Sequence, residues 1–449
     1  MPIEISDVLL DQLTSSIEQK DNTAILQLLG DEHHADIAEI LEDLKLEEAT
    51  YVIKLLDSEL TSEVLMDLDE DLREKVLQNL SAKEIAEELD ELDTDDAADM
   101  IAELPEDRQK IVIAKIEDST HQADIKELLA YDENSAGGLM AKELVKVNEN
   151  WNVLTCVKEM RAQAEFVTRV HSIYVVDDQN RLKGRLSLKD LLVTSTKTHI
   201  SDIYIPKVDA VNVNDRGEDV AKVMQKYDLE AIPVVDDEHH LLGRITIDDI
   251  VDVIREEADR DYQMAAGISQ DVEADDSIFR HTKARLPWLF LGIFGGMGSA
   301  AIMGSFEDLI NEHAVLFFFT PLIAAMAGNV GVQASAIVVQ GIANGDLKGT
   351  IGQRLFKEFL LALISGLALA GFLFLFTFLW HRDLLTSIAI SISLLVVIIV
   401  AGINGTFIPL FLSKRGIDPA IATGPFITTS NDIFGIIIYF WIAKEVIGI

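Results

Sequence analysis

The chain has 449 residues, a formal net charge of −39 and a single cysteine. One cysteine excludes both a disulfide framework and a zinc site built on cysteines. Residues 284–449 carry eight basic and nine acidic side chains, so residues 1–283 carry −38 of the total. Such an acidic segment will not bind nucleic acid or an anionic membrane surface, and it attracts cations.

Residues 1–130 are predicted to form an all-α solenoid. An apolar pair with two residues between its members recurs at a constant short interval, from Leu41/Leu44 to Ile113/Ile116. The residues after the middle pairs suit helix starts: Asp57, Asp69, Ser81 and Asp93 as N-caps, and Pro105 in a first turn. Helices of about eight residues that bury one apolar stripe against their neighbours are typical of α-solenoids.

A second and longer repeat predicts an α/β domain made of two similar units, 131–200 and 201–256. The matching segments are Ile173–Asp178 with Ile232–Asp237, Gly184–Ser187 with Gly243–Thr246, and Asp190 with Asp249, all displaced by the same interval. Each unit is predicted to run helix, strand, turn, strand and short helix. The pattern resembles a tandem pair of CBS domains, a fold often used as a regulatory sensor.

The resemblance to CBS pairs implies two candidate nucleotide contacts, Asp190 and Lys189. Asp190 lies where a ribose contact is usually made in pairs that bind adenine nucleotides. Lys189 and Ser172 stand where such pairs carry an arginine and an aromatic residue. ATP is therefore a candidate ligand whose binding the sequence leaves open.

Residues 257–280 are predicted to form a linking helix that leads into an all-α membrane domain, 281–449. Five apolar stretches there can each cross about 30 Å of hydrocarbon: 286–306, 314–343, 359–380, 384–412 and 419–443. Basic residues in alternate loops predict which loops are cytoplasmic. The chain is thus expected in the cytoplasmic membrane, with its N-terminal domains inside the cell and its C-terminus outside.

Asp432 is the only charged residue between Asp418 and Lys444. A carboxylate at membrane depth costs roughly 2.5–3.5 kcal/mol, so we expect it to face a cavity, a partner or an ion. Helix breakers occur in the second, fourth and fifth spans, at Pro321, at Pro409 and at Gly424 with Pro425. They predict interrupted helices, whose irregular backbone can line a hydrated path. The candidate path residues are Gly328, Asn329, Gln333, Asn404, Thr428 and Asp432. Helix–helix packing is the alternative role for small and polar residues of this kind.

Acidic helical repeats, paired CBS units, a linking helix and five spans, in that order, resemble the MgtE family of magnesium channels. The specific motifs are SAGGLM at 135–140, GNVGVQ at 328–333 and SND at 430–432. The resemblance implies a homodimer in the lipid bilayer, with a pore in which Asp432 holds a hydrated Mg²⁺ ion. The chain contains no nucleophile–base pair that we can identify, and an enzyme is not predicted.

The same resemblance implies regulatory Mg²⁺ sites between the helical domain, the CBS units and the linking helix. The matching positions are Glu63, Asp95, Asp99, Gly138, Glu218, Asp228, Asp249, Asp252, Glu257 and Asp261. Divalent ions would convert the repulsion between acidic faces into a bridge, so gating by internal Mg²⁺ is predicted. Arg260 and Gly424 depart from the acid and the asparagine that other members can carry there.

Two other functions remain open at this point. The first is transport of Mn²⁺, Co²⁺ or Ca²⁺, because hard oxygen ligands do not exclude these ions. The second is a nucleotide-sensing membrane receptor that uses the CBS pair without transport. Substitution of Asp432 separates a transporter from a receptor, since the function of a receptor would tolerate it.

Overall fold

The structure is a computed structural model that describes residues 6–30, 32–164, 167, 169–269, 272, 276–344, 347, 349–422 and 424–448. The chain divides into two compact units, Met1–Ile254 and Arg255–Ile449. The first unit contains a helical part and an α/β part, and the second contains the long apolar helices. These are the three kinds of architecture that the sequence predicts.

The helical part of the first unit is, within its described residues, a chain of short helices. They are α1 Asp7–Gln19, α2 Asn22–Leu29, α3 His34–Glu42, α4 Leu46–Ile53, α5 Ser58–Asp67, α6 Glu70–Asn79, α7 Ala82–Leu89, α8 Thr94–Ala102, α9 Glu106–Ile113 and α10 Ser119–Leu128. Helices two places apart pack together, α3 on α5, α4 on α6, α5 on α7 and α7 on α9. Each repeat thus buries its apolar pair against the next, as expected of a solenoid.

The caps explain where these helices begin, with two departures from expectation. Asp57, Asp69 and Ser81 cap α5, α6 and α7 with their side chains, and Ser81 forms a capping box with Glu84. Pro105 occupies the N-cap position of α9 rather than its first turn. Asp93 precedes α8 but makes no capping hydrogen bond, because its carboxylate is paired elsewhere.

Small sheets form the α/β part. The first repeat contains β1 Val145–Asn148, α11 Val153–Gln163, β2 Ile173–Val176, β3 Leu182–Leu186, α12 Leu188–Val193 and β4 Ile205–Pro206. The second contains β5 Val211–Asn212, α13 Gly217–Tyr227, β6 Ala231–Val235, β7 Leu241–Thr246 and α14 Ile247–Ala265. The sheet orders are β1-β2-β3-β4 and β5-β6-β7, each with one parallel pair at its start.

The two repeats share details that the sequence match does not reveal. Each begins with a strand, β1 or β5, that the predicted order of elements lacks. The register of β2 on β3 shifts between Val175 and Val176, and that of β6 on β7 shifts between Val234 and Val235. The last helix differs most, because α12 has 6 residues whereas α14 has 19 and continues into the second unit.

Within the described part of the second unit, five helices are long and apolar enough to cross a membrane. They are α15 Ile278–Gly304, α17 Ala314–Ala343, α18 Ile351–His381, α19 Leu384–Ser413 and α20 Gly424–Ile447, with the short α16 Glu307–Glu312 after the first. α19 packs on α17, α18 and α20, while α20 also packs on α15 and α17. The core of this unit therefore lies around α17, α19 and α20.

The prediction of interrupted helices is wrong for α17 and α19. Both are continuous α-helices, with Pro321 and Pro409 inside them. Neighbouring helices keep such a helix packed despite the hydrogen bond that each proline removes. The fifth span is interrupted as predicted, since a 3₁₀ turn at Pro419–Ala422 precedes α20, which starts at Gly424.

Candidate metal sites

Three carboxylates meet where the helical part of the first unit packs on its α/β part. One oxygen each from Asp93, Asp95 and Glu143 lie within 4.8 Å of one another. Asp93 immediately precedes α8, Asp95 stands in its first turn, and Glu143 lies just before β1. Asp95 is only 8 % exposed. Oxygen ligands at this spacing can hold a hard cation such as Mg²⁺.

Arg244 of β7 joins the elements that carry these carboxylates. Its guanidinium lies 3.0 Å from Asp93 Oδ2, and its Nε donates to the Glu143 carbonyl oxygen at 2.5 Å. Glu143 in turn accepts hydrogen bonds on Oε2 from the Thr94 backbone N–H and hydroxyl, at 3.2 and 2.8 Å. Arg244 is 6 % exposed, so the Asp93 charge has a buried positive partner.

Asp249 brings a further carboxylate to this cluster. It stands in the first turn of α14 and accepts hydrogen bonds from the Thr246 N–H at 3.1 Å and from the Thr246 hydroxyl at 2.6 Å. These bonds hold its side chain against the end of β7. Its negative charge acts on Asp95, Asp96 and Asp99.

Burial and mutual repulsion make this cluster costly to ionise. Burial, followed by the Asp96 charge, raises the pKa of Asp95 well above its ordinary value. Burial and the Asp249 charge raise the pKa of Asp96 to about 7, and burial, Glu133 and Asp249 raise the pKa of Asp99 to about 7. At neutral pH the cluster must hold protons or a cation. A divalent ion would offset several of these charges at once.

The structure brings some of the predicted regulatory residues together. Asp95, Asp99 and Asp249 share the cluster, whereas Glu63 is exposed and pairs with His34 at 3.8 Å. Glu218 already pairs with Lys222 at 2.5 Å.

The other five predicted positions lie elsewhere or have a backbone too tightly packed for a side chain. Asp228 is the left-handed C-cap of α13, and Asp252 is exposed on α14. Gly138 leaves no space for a side chain, since a Cβ there would lie 2.5 Å from the Asp132 carbonyl oxygen. Glu257 pairs with Arg260 at 2.9 Å, and Asp261 lies one turn further along α14.

Sequence reasoning missed Asp93, Asp96 and Glu143 as members of the cluster. The sequence favours Asp93 as an N-cap, because its partner Arg244 lies 151 residues away along the chain. The run of acids at 93–96 was a usable signal, because three of those four residues carry carboxylates. Glu143 offers no such signal, since its position depends on tertiary packing alone.

The second candidate site lies on α20 of the second unit. Asp432 is half-buried beside Gly328 of α17, where a Cβ would lie 3.6 Å from Asp432 Oδ1 and 3.0 Å from Thr428 Cγ2. The Thr428 hydroxyl donates to the Gly424 carbonyl oxygen at 2.9 Å. A glycine therefore lets α17 and α20 approach closely next to the one carboxylate of this helix segment.

The other predicted path residues separate into two groups. Asn329 and Gln333 lie one turn apart on an exposed face of α17. Asn404 of α19 instead donates from Nδ2 to Asn431 Oδ1 at 3.4 Å. The nucleotide candidates Lys189 and Asp190 lie in the first turn of α12, the former exposed and the latter partly buried.

Family models match most of the chain. A model described as a divalent cation transporter matches residues 320–442, and one described as the MgtE intracellular N domain matches 32–134. The CBS domain model matches 136–195 and 200–256. The predicted order of acidic helical repeats, two CBS units and membrane helices is therefore confirmed.

Curated relatives and solved structures agree with the models. The magnesium transporter MgtE of Enterococcus faecalis is 38% identical over 327 residues, which covers 73% of this chain and 72% of the relative. That of Thermus thermophilus is 33% identical over 334 residues, 73% of each chain. The cytosolic domain of the Mg²⁺ channel MgtE in complex with ATP superposes with a TM-score of 0.51 and 34% identity, covering 54% of this chain and 99% of that one. The relatives are named as transporters, which confirms the prediction that the chain is not an enzyme.

Proposed function

Because the chain belongs to the MgtE family of divalent cation transporters, we propose that it conducts Mg²⁺ across the cell membrane along a path that includes Asp432. The observation that carries the proposal is the Asp432 carboxylate, which stands alone in the apolar segment of α20 and lies beside Gly328 of α17. Mg²⁺ gives up its water reluctantly, so one carboxylate per chain suits an outer-sphere hold on the hydrated ion. Such a hold is weak enough for the ion to leave again.

Uptake of Mg²⁺ into proteoliposomes tests this role of Asp432. Asp432→Asn keeps the size of the side chain but removes its charge, and we expect it to abolish uptake. Glu445→Gln, at an exposed position near the end of the same helix, is the matched control and should transport normally. Uptake by Asp432→Asn at the wild-type rate would reject this path, and the absence of uptake by the wild type would favour the receptor hypothesis. Faster uptake of Mn²⁺, Co²⁺ or Ca²⁺ than of Mg²⁺ would identify that ion as the substrate in place of Mg²⁺.

Regulation by internal Mg²⁺ is the second part of the proposal. The cluster of Asp93, Asp95, Glu143 and Asp249 combines carboxylates from the helical part and the α/β part of one compact unit. Mg²⁺ bound there would hold these parts together, and their repulsion would separate them when the ion leaves. Because the two states differ in affinity for Mg²⁺, the ion shifts the equilibrium between them.

Contacts at the far end of α14 support a link from this cluster to the membrane helices. A Cβ on Gly424, the first residue of α20, would lie 2.1 Å from the Ala265 carbonyl oxygen, and one on Gly267 would lie 2.4 Å from Pro425 Cγ. The end of α14 thus packs on the start of the helix that carries Asp432. We propose that Mg²⁺ binding keeps this contact in place and stops conduction.

The double variant Asp95→Asn with Asp249→Asn tests the gating. Wild-type uptake should fall as the Mg²⁺ inside the vesicles increases, and the double variant should lose most of that inhibition. Glu39→Gln, at an exposed position on α3, is the control. Inhibition that is equally strong in the double variant would refute regulation through this cluster while leaving transport intact.

We also propose that the protein works as a homodimer in the cytoplasmic membrane, with the first unit inside the cell and the C-terminus outside. Leu188, Leu192 and Val193 of α12 are 59 %, 79 % and 75 % exposed. Exposed apolar side chains of this kind, on a domain outside the membrane, indicate a surface that another protein covers. A second copy of the chain would cover it. Light scattering of the detergent-solubilised protein measures the mass. A monomer at micromolar concentration would argue against the dimer.

A nucleotide role for the CBS pair rests on the relative whose cytosolic domain was solved with ATP. We propose that ATP binds the pair in this chain as well, with Asp190 and Lys189 as contacts. Titration of the full-length protein with ATP, compared with Asp190→Ala, tests the assignment. Equal binding by the variant would remove Asp190, and no binding by the wild type would remove ATP.

A further inference from the structure

Asn431 is buried in the membrane bundle next to the carboxylate of the proposed path. It is 2 % exposed, whereas its neighbour Asp432 is partly exposed. Its Oδ1 accepts a hydrogen bond from Asn404 Nδ2 of α19 at 3.4 Å. The side chain therefore projects into the bundle, while the next residue along the helix faces a different way.

Gly331 of α17 makes the space that Asn431 fills. A Cβ on Gly331 would lie 1.9 Å from Asn431 Nδ2 and 2.8 Å from Ile427 Cγ2, so only hydrogen fits there. Gly405 of α19 is equally close on the other side, where a Cβ would lie 2.3 Å from the Gly331 carbonyl oxygen. The amide is thus held between two helices that touch through glycine, the close packing that small residues allow in membranes.

Stability alone does not explain an asparagine in this place. Among the residues that the structure describes, Asn431 Nδ2 has no hydrogen-bond partner although it is buried. An unpaired buried amide donor is costly, and an apolar side chain of similar size would avoid that cost. The polar side chain must therefore contribute something other than packing.

Asn431 fixes the rotational orientation of α20 about its own axis. Successive residues of an α-helix are about 100° apart around that axis. A side chain that is wedged against Gly331 and bonded to Asn404 therefore sets the direction in which Asp432 leaves the helix. That direction is toward Gly328, one turn before Gly331 on α17.

We propose that Asn431 is a positioning residue, which holds α20 so that the Asp432 carboxylate faces the ion path. This inference rests on the proposed function of Asp432. The proposal also gives Asn404 a role inside the helix bundle, since Asn404 acts on Asp432 through Asn431 rather than by contacting the ion. Gly331 belongs to the same arrangement, because it provides the space for the amide.

Uptake kinetics in proteoliposomes test the proposal. Asn431→Ala should raise the KM for Mg²⁺ by about fivefold, the factor that one net buried hydrogen bond represents, and should lower the ratio of Mg²⁺ to Ca²⁺ uptake. Asn404→Ala should do the same, and the double variant should be no worse than either single one. Asn311→Ala, an exposed asparagine on α16, is the control and should behave as wild type.

A second pair of variants keeps the test independent of folding. Gly331→Ala should clash with the Asn431 amide and reduce both selectivity and the thermal midpoint. Adding Asn431→Ala should remove that clash, so the double variant should regain a large part of the midpoint and transport better than Gly331→Ala alone.

Several outcomes would overturn the inference. An unchanged KM and an unchanged ratio of Mg²⁺ to Ca²⁺ in Asn431→Ala would do so, provided that the wild type transports Mg²⁺ and Asp432→Asn does not. The absence of any relief in the Gly331→Ala/Asn431→Ala variant would also count against it. If Asp432→Asn itself transports normally, the proposed function fails, and the positioning role fails with it.

Discussion

Asp99→Asn should stabilise the metal-free protein, although it removes a residue proposed to help hold Mg²⁺. Burial and the charges of Glu133 and Asp249 raise the pKa of Asp99 from 3.8 to about 7. At about 1.4 kcal/mol per pKa unit, this shift would correspond to roughly 4 kcal/mol near pH 8 for a fully buried group, but Asp99 is exposed to solvent on α8, which screens much of that cost. Neighbouring carboxylates also share protons, so we expect a gain of about 1 kcal/mol for the variant.

The sign of the pH dependence follows from the raised pKa. The contribution of Asp99 to the free energy of unfolding is most favourable below about pH 4, where its carboxyl is protonated in both the folded and the unfolded states. That contribution is lost as the pH rises through about 7. The advantage of Asp99→Asn should therefore be absent near pH 4, grow between pH 4 and 7, and level off above. Mg²⁺ should reverse it, because the ion stabilises the wild type more than the variant.

Thermal unfolding of the detergent-solubilised protein measures the effect. With a chelator near pH 8, a gain of about 1 kcal/mol should raise the midpoint by about 2–4 °C. With excess Mg²⁺ the difference should shrink or change sign, whereas Glu39→Gln should match the wild type throughout. A midpoint for Asp99→Asn that is unchanged or lower in chelator near pH 8 would refute the electrostatic reasoning.

Three further predictions concern single contacts. Arg244→Met leaves the partly buried Asp93 unpaired and should destabilise the first unit by about 2 kcal/mol, measured by thermal unfolding in chelator. Gly424→Ala places a methyl group against the Ala265 carbonyl oxygen at a positive φ, so uptake at high internal Mg²⁺ should rise severalfold. Ser81→Ala removes a capping box and should cost about 1 kcal/mol, seen as a lower midpoint without any change in uptake; an unchanged midpoint would contradict the capping geometry.

Local periodicity was sufficient for much of the architecture. The short repeat predicted the solenoid, because each short helix depends on its own cap and apolar pair. The longer repeat predicted two similar α/β units, and hydropathy predicted five spans, because both patterns are continuous in sequence. The strands β1 and β5 were missed since they are short and pair in parallel with strands that lie beyond the following helix.

The candidate sites were predictable only in part, because their geometry depends on distant partners. The sequence alone suggests Asp432 as a candidate, because a lone charge in an apolar segment is visible locally. Asp93 looked like an N-cap until packing placed Arg244 beside it. Asn404 is predicted as a path residue, and its hydrogen bond to Asn431 could not be predicted because it depends on the packing of α19 against α20. Proline marked α17 as interrupted, yet its neighbours keep that helix continuous.

The paired register shifts, at Val175/Val176 and at Val234/Val235, bear on the history of this chain. They occupy equivalent positions in the two repeats, since Ile173–Asp178 matches Ile232–Asp237. Duplication of one ancestral unit accounts for both register shifts more simply than two separate events. The copies then diverged most in the final helix, which remained short as α12 in one copy and became the long α14 in the other. Duplication thus left one copy free to lengthen into a connection to the membrane domain.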